Sequence, residues 1–329
     1  MGSTDIQAIL PRLKPLLAIL ISNFRKGDYT QRRESAIALS KFKGEKATDV
    51  LLQTYESDNI QDFMALALGN VENKRAVQLL INALNDPNSE VRFNAARALG
   101  MMNNDEAFNV LVESLNAYAD MISAGGGPKQ QNQVFFEEEA IISAISALGK
   151  LRNTLATPLL KRLLTLEKTG RIRATIIIAL GQMQSDRLLP IFQGALKDED
   201  DRVRANSIEA IEAIKSSAIV GILQPYLEDP SNRVRANVAK AIWKYGDYDV
   251  TETLVRMLGE KDKWQRASAA FALGEIKAAK FIGKLALALK DEDADVRRNA
   301  VNALKKIESA SALPHLEAII DDPSPDVRV

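Results

Sequence analysis

The sequence predicts an all-α protein, an α-solenoid in which about nine to ten helical hairpins stack into a superhelix. Three features indicate this fold: a phrase that recurs at a constant period, two helical stretches in each period, and a composition that suits packed helices. Repetition with a period of roughly 20–50 residues is typical of stacked-repeat proteins. Aromatic residues make up 5% of the 329 residues, which disfavours a protein built mainly from β-sheet.

The recurring phrase is V-R-x-x-A-x-x-A-L-G, and its arginine sets the period. It occurs as Arg92, Arg173, Arg204, Arg235, Arg266, Arg297 and Arg328. From Arg173 onward, each arginine follows the previous one by 31 residues. The longer gap before Arg173 holds one further copy, EEEAIISAISALGK, together with an insertion. We therefore predict a single repeat array over residues 1–329, with an inserted loop at about 117–136.

Each copy contains two helical stretches, which we name helix A and helix B. Helix A carries aliphatic residues three and four positions apart, the pattern of a helix with one buried face. In helix B, an alanine stands six residues after the arginine and indicates a close contact between helices. This column comprises Ala67, Ala98, Ala147, Ala179, Ala210, Ala241, Ala272 and Ala303. Between the helices lie short segments such as DPNSE and DEDDR, whose Asp and Ser can cap helix B.

The final copy stops early. Residues 321–329 repeat the inter-helix phrase but end where earlier copies continue into a full helix B. We expect this last repeat to be truncated and the native chain to run on beyond Val329.

An acidic residue stands six positions before each of these arginines. The Asp-to-Val-Arg spacing resembles the HEAT repeat, and the short 31-residue form with A-L-G resembles the HEAT-like repeats named after phycobilisome lyases. This resemblance covers nearly the whole chain. It implies that acid and arginine form a hydrogen-bonded ladder that ties the inter-helix turn to helix B. The ladder residues would be Asp86, Arg92, Asp198, Arg204, Asp229, Arg235, Asp291 and Arg297.

Composition excludes several kinds of chemistry. There is no Cys and a single His, so thiolate nucleophiles, Cys-ligated zinc and histidine-rich metal centres lack their ligands. Deoxyhypusine hydroxylase resembles this chain in its repeats but holds iron on several His-Glu pairs, and His315 alone cannot build that site. With 43 basic and 43 acidic residues the net charge is zero, which disfavours nucleic acid and the DNA glycosylases of similar architecture. We predict no metal and no cofactor.

The longest apolar run near the N-terminus, Leu16 to Ile21, is too short to span a membrane. We therefore expect a cytoplasmic protein.

The inserted segment contains a glycine-rich stretch, Gly125, Gly126, Gly127, Pro128 and Lys129. It lacks the G-x-x-x-x-G-K-[ST] pattern and a preceding strand, so it is not a nucleotide-binding loop. Two interpretations stay open, a functional loop and a tolerated linker.

Helix B is expected to line the concave face, where positions that vary between copies can serve a partner. Two such columns contain a basic run that ends in aromatic residues. The candidates in these columns are Arg171, Arg202, Arg233, Lys240, Trp264 and Phe271, and Lys244 stands beside them. They would suit an acidic peptide with an apolar anchor. The alternative is a solvated face neutralised by Glu199, Asp200 and Asp201.

These features predict a non-catalytic scaffold or adaptor that binds another protein through its concave face. The sequence therefore predicts that the chain is not an enzyme. The alternative is a bilin lyase or phycobilisome-associated factor of the same repeat family, in which a tetrapyrrole would be handled.

Overall fold

The structure is a computed structural model that describes residues 3–41, 45–57, 65, 67–71, 73–102, 104–125 and 137–328. Within these ranges the regular elements are helices, and none is a strand. The fold is an all-α solenoid of helical hairpins, as predicted. The chain divides into two compact units, residues 1–183 and 184–329, whereas the sequence treats it as one array.

The first unit begins with one long helix and two shorter ones and then adopts the A–B alternation. Its helices are α1 (Ser3–Lys26), α2 (Tyr29–Lys41), α3 (Glu45–Ser57), α4 (Lys74–Ala83), α5 (Ser89–Leu99), α6 (Asp105–Ser123), α7 (Glu138–Leu151), α8 (Thr157–Leu166) and α9 (Gly170–Gln182). The pairs α4–α5, α6–α7 and α8–α9 are helix A and helix B of successive hairpins.

The second unit keeps the 31-residue period throughout. Its helices are α10 (Leu189–Ala195), α11 (Asp201–Glu212), α12 (Ile219–Leu223), α13 (Asn232–Trp243), α14 (Val250–Leu258), α15 (Lys263–Ile276), α16 (Ile282–Ala288), α17 (Ala294–Ile307) and α18 (Leu313–Glu317). Odd-numbered helices from α11 to α17 are B helices. Helices α11, α15 and α17 begin at capping residues, since Asp200, Asp262 and Asp293 each accept a hydrogen bond from the backbone N–H two residues on. Ser231, which precedes α13, makes no such bond.

Neighbouring B helices approach closely where the glycine of one copy meets the alanine column of the next. A Cβ atom on Gly149 would lie 2.7 Å from Cα of Ala179, and one on Gly274 would lie 2.7 Å from Cα of Ala303. Real Cβ atoms do not approach backbone that closely, so these positions exclude any side chain. The A-L-G phrase is therefore a packing signal within each unit.

The insertion differs from its prediction in its first part. Residues 117–123, expected in a loop, form the end of α6, where Tyr118 and Ala119 are buried. Their apolar surface packs against the hairpin, and this burial favours continuing the helix. After the helix, Gly125 has a φ of 77° with open space around it. Gly126, Gly127, Pro128 and Lys129 lie outside the described residues.

Candidate functional site

The repeating arginines connect consecutive repeats of the second unit. Nη1 of Arg204 donates to the backbone carbonyl oxygens of Asp198 and Glu199, at 2.9 and 3.1 Å. Nε and Nη2 of the same guanidinium donate to the two carboxylate oxygens of Asp229 in the next repeat, both at 2.8 Å. Each arginine thus ties its own turn to the following one. Within one repeat, the arginine donates to the backbone carbonyl of the acidic residue. The carboxylate of that acidic residue accepts from the arginine of the previous repeat.

The same arrangement recurs at two further junctions. Arg266 pairs with Asp291, and Arg297 pairs with Asp322. The hydrogen bond from Arg297 lowers the pKa of Asp322, with burial acting in the opposite direction. Arg235 departs from the pattern because its Nη2 donates to Gln265 at 2.7 Å. These contacts account for the ladder residues as connections between repeats.

In the first unit the ladder uses other partners. Arg92 is fully buried and donates to the carbonyl oxygens of Asp86 and Pro87. Its Nη2 lies 2.7 Å from the carboxylate of Glu137, which directly precedes α7. One junction on, the buried carboxylate of Glu167 accepts a hydrogen bond of 2.6 Å from the hydroxyl of Tyr118. Burial, and then this bond, raise the pKa of Tyr118 above its ordinary value.

The predicted basic run is largely neutralised by neighbouring carboxylates. Arg171, in the first unit, forms a two-pronged pair with Glu139, which raises the pKa of this arginine. In the second unit, Nε and Nη2 of Arg202 donate to Asp200 at 3.0 and 2.6 Å. That contact lowers the pKa of Asp200 to about 2. Neither guanidinium is an unpaired charge.

Arg233 differs from these two arginines. It is exposed, and its Nη2 donates to the neutral amide oxygen of Asn206 at 3.3 Å. Within the described residues, no carboxylate lies within ion-pair distance of its guanidinium. Of the three arginines in the predicted run, Arg233 alone therefore offers an uncompensated charge.

The two predicted lysines are also engaged. Nζ of Lys240 lies 3.1 Å from the carboxylate of Glu212. Nζ of Lys244 lies 5.1 Å from the centre of the Tyr245 ring, a cation–π distance. Neither lysine lines the cavity described next.

Trp264 and Phe271 lie on the B-helix face of α15 and are exposed, at 58% and 47%. They line a cavity of about 380 Å³ together with Arg233 and Arg298. A second cavity of about 320 Å³ continues from Phe271 past Asn299 to Lys305 and Lys306. We call these two cavities together the helix-B groove. It brings together three residues that the sequence singled out, Arg233, Trp264 and Phe271.

The backbone around the groove is held by polar side chains. The side-chain amide of Asn232 donates to the carbonyl oxygen of Trp264 and to the hydroxyl of Ser268, each at 2.8 Å. The amide of Asn237 donates to Glu209 at 2.9 Å. These bonds join α13 to α15, the helix that carries both aromatic rings, and α13 to α11.

Three further cations that line the groove, Arg298, Lys305 and Lys306, were not predicted from the sequence. A signal exists for Lys305, because it stands 31 residues after Gly274, at the position that glycine occupies in other copies. In other copies the glycine at this position lies against the neighbouring helix. A lysine side chain is too long for such a contact, so it has to point away from the core or into the groove.

Neither a metal centre nor a membrane span is present in the described part of the chain. No group of three or more metal-ligating side chains comes together there. His315 lies in the short helix α18, and the described helices include none with the length and apolar character to cross a bilayer.

Comparison with known proteins places the repeats in a family. A family model described as HEAT repeats matches residues 51–122, 136–212, 188–274 and 258–329. The phycocyanobilin lyase subunit alpha of Nostoc sp. is 28% identical over 188 residues. That alignment spans 54% of this chain and 64% of the Nostoc protein.

One solved structure shows the same fold at low identity. The Escherichia coli protein YibA is 20% identical with a TM-score of 0.51, over 82% of this chain and 94% of YibA. The complex of CpcE and CpcF of phycocyanin lyase from Nostoc sp. includes a chain 22% identical with a TM-score of 0.43, over 72% and 92% of the two chains.

The Nostoc relative corrects one prediction from the sequence. The chain was predicted not to be an enzyme, yet a relative over more than half of its length is a subunit of a lyase. The prediction failed because it required catalytic motifs within a single chain, whereas an enzyme can divide its work between subunits. The repeat phrase, the stacked hairpins and the family match over most of the residues lead to one assignment: this chain belongs to the HEAT-repeat family.

Proposed function

We propose that this chain is a subunit of a chromophore lyase and that it binds a linear tetrapyrrole in the helix-B groove for a partner protein. The name of the Nostoc relative supplies the class of ligand. The HEAT-repeat scaffold supplies the kind of surface, since stacked hairpins present their B helices as an extended binding face.

The observation that carries the proposal is the pair of exposed aromatic rings beside an uncompensated guanidinium. Trp264 and Phe271 offer flat apolar faces, and a conjugated tetrapyrrole can stack on them. Its carboxylate side chains need a cationic donor, and Arg233 in the same cavity provides one. An arginine already paired with a carboxylate, such as Arg202, would have to give up that pair first.

The first test is direct binding. The protein is mixed with phycocyanobilin and separated by gel filtration, and visible absorbance is followed in the protein fraction. We expect the chromophore to elute with the protein. The double substitution Trp264→Ala and Phe271→Ala should weaken binding by at least about tenfold, equal to ~1.4 kcal/mol.

A matched control is Ile178→Ala. Ile178 is an exposed apolar residue at the position in its own repeat that Phe271 occupies in α15. It lies in the first unit, so the control should bind phycocyanobilin as the wild type does. Equal loss in both variants would show that the chromophore adheres to exposed apolar surface without selecting the groove.

An acidic peptide with an apolar anchor is the competing occupant of the same groove. Such a peptide would bind more weakly as ionic strength rises, because exposed charges are screened over about 10 Å at 0.1 M salt. A protein that binds such a peptide and retains no chromophore would contradict the lyase proposal and favour a protein-binding scaffold.

A further inference from the structure

We infer that the helix-B groove takes an elongated ligand with two separated acid groups, one held by Arg233 and the other by Lys305. This inference rests on the proposed function for the location of the ligand. It adds the length of the ligand and the places of its two charges.

The groove is continuous between these two cations. Its first cavity is lined by Arg233 and Trp264, its second by Lys305, and both cavities share Phe271 and Asn299. A single ligand can therefore extend from one cavity into the other across the Phe271 ring.

The other charged side chains in the groove already have partners. Arg298 pairs with Asp295 at 2.7 Å, and Glu209 accepts from the amide of Asn237. Lys306 pairs with Glu275 and stands 5.3 Å from the centre of the Phe271 ring.

Lys305 is exposed like Arg233, and in the described part of the chain no carboxylate lies within ion-pair distance of it. The uncompensated cations of the groove therefore lie at its two ends, while Glu209 in the first cavity is a carboxylate whose hydrogen-bond partner, Asn237, is neutral.

Helix geometry sets the distance that the ligand has to bridge. Arg233 begins one B helix and Lys305 ends another two repeats later. Helices pack about 10 Å apart, and ten residues along a helix add about 15 Å, so the two Cα atoms are roughly 25 Å apart. If both side chains reach inward by about 6 Å, the two cations are about 13 Å apart. Hydrogen bonds of about 3 Å at each end then leave the two acid groups about 7 Å apart, and about 19 Å apart if the side chains do not reach inward. A rigid diacid of this length meets both cations, and a monoacid meets one.

The test compares two synthetic probes that share one conjugated frame. Stilbene-4,4′-dicarboxylate carries an acid at each end, and stilbene-4-carboxylate carries one. We expect the wild-type protein to bind the diacid at least about tenfold more tightly than the monoacid. Isothermal titration at low ionic strength measures both dissociation constants.

Each end is then removed separately. Arg233→Gln and Lys305→Gln should each abolish the preference for the diacid and leave monoacid binding within about threefold. Lys244→Gln is the matched control, because Lys244 is exposed on the neighbouring turn and lies outside the groove. A wild type without preference for the diacid, or without binding of either probe, overturns the inference. So does a Lys305→Gln protein that keeps the preference.

The two proposals fail separately. If the diacid preference depends on both cations but phycocyanobilin is not retained, the ligand class stands and the lyase proposal is wrong. If phycocyanobilin binds while Lys305→Gln leaves the preference for the diacid intact, the lyase proposal stands and the two-ended site is wrong.

Discussion

Within each of the two compact units, consecutive repeats are joined at the acidic residue of the inter-helix turn, but the group that donates a hydrogen bond to this acid differs between the units. In the second unit Nε and Nη2 of Arg266 grip both carboxylate oxygens of Asp291, at 2.7 and 3.0 Å. In the first unit the matching acid is Glu167, and Ile141, six residues before Ala147, stands where the arginine would be. The hydroxyl of Tyr118 supplies the donor instead.

This difference shows that the acid has to be satisfied even when its usual donor is missing. A buried carboxylate without a hydrogen-bond donor is costly, so the fold recruits whichever donor lies nearest. The extension of α6 into the insertion carries Tyr118 to that position. The insertion that interrupts the period therefore also supplies Tyr118, the donor that replaces the missing arginine at Glu167.

The largest effect is expected from removing the arginine of a forked pair. Arg266→Ala leaves the carboxylate of Asp291 and two turn carbonyls without their donor, and it should lower the free energy of unfolding by about 3 kcal/mol. Chemical denaturation measures this change. Arg256→Ala is the control, since its pair with Glu228 is exposed and should contribute less than about 1 kcal/mol. Equal effects would remove the distinction between the ladder and ordinary surface pairs.

A smaller effect is expected in the first unit. Tyr118→Phe keeps the ring but removes one hydrogen bond to a charged acceptor, which should lower the free energy of unfolding by about 1.5–2 kcal/mol. Hydrogen exchange should show the loss of protection in α6 and α8, the two helices that this bond joins. Tyr245→Phe, which removes a hydroxyl with no hydrogen bond in the described residues, should change little. If Tyr118→Phe is as harmless, the tyrosine does not replace the missing arginine.

The smallest effect is expected from a change of pH. The contact between Arg297 and Asp322 should weaken in acid, and the contact between Tyr118 and Glu167 should weaken in alkali. The hydrogen bond from Arg297 lowers the pKa of Asp322, so its stabilisation is complete above about pH 4 and is lost as the pH falls through the folded value. Tyr118 has a raised pKa, so its stabilisation is complete below about pH 10 and is lost at still higher pH.

Hydrogen exchange resolved by peptide measures both effects after correction for the intrinsic exchange rate. We expect α17 to lose protection first in acid and α6 first in alkali. The reverse order would contradict the assignment of the two donors.

Much of the fold could be predicted from the sequence because the same pattern of apolar, small and capping residues recurs in each repeat. The alanine column predicted close contact between helices, and Ala303 does approach the neighbouring B helix closely, at Gly274. The helical end of the insertion was not predicted. Residues 117–123 occur in one repeat and have no counterpart in the others with which they could be compared. The burial of Tyr118, which favours helix there, depends on residues that are close in space and distant in sequence.

The candidate site was predicted less well. The sequence singled out Arg171, Arg202 and Arg233 alike, because they occupy the same position in their repeats. Their partners differ, and a partner such as Glu139 lies 32 residues away in another helix. Periodicity identifies which positions are exposed, but the charge that remains at each depends on neighbouring repeats.

The sequence by itself therefore determined the hairpin, its period and the family, since all three follow from local patterns repeated along the chain. Only the tertiary structure decided which arginine of the predicted run has no carboxylate partner in the described part of the chain, and which acidic residues accept hydrogen bonds from the ladder arginines. It also decided that Arg233 and Lys305 lie at opposite ends of the groove. The physical reason is distance. Electrostatic and hydrogen-bonding partners are set by approach within about 3–4 Å, and stacking brings together side chains that the sequence separates by 25 residues or more.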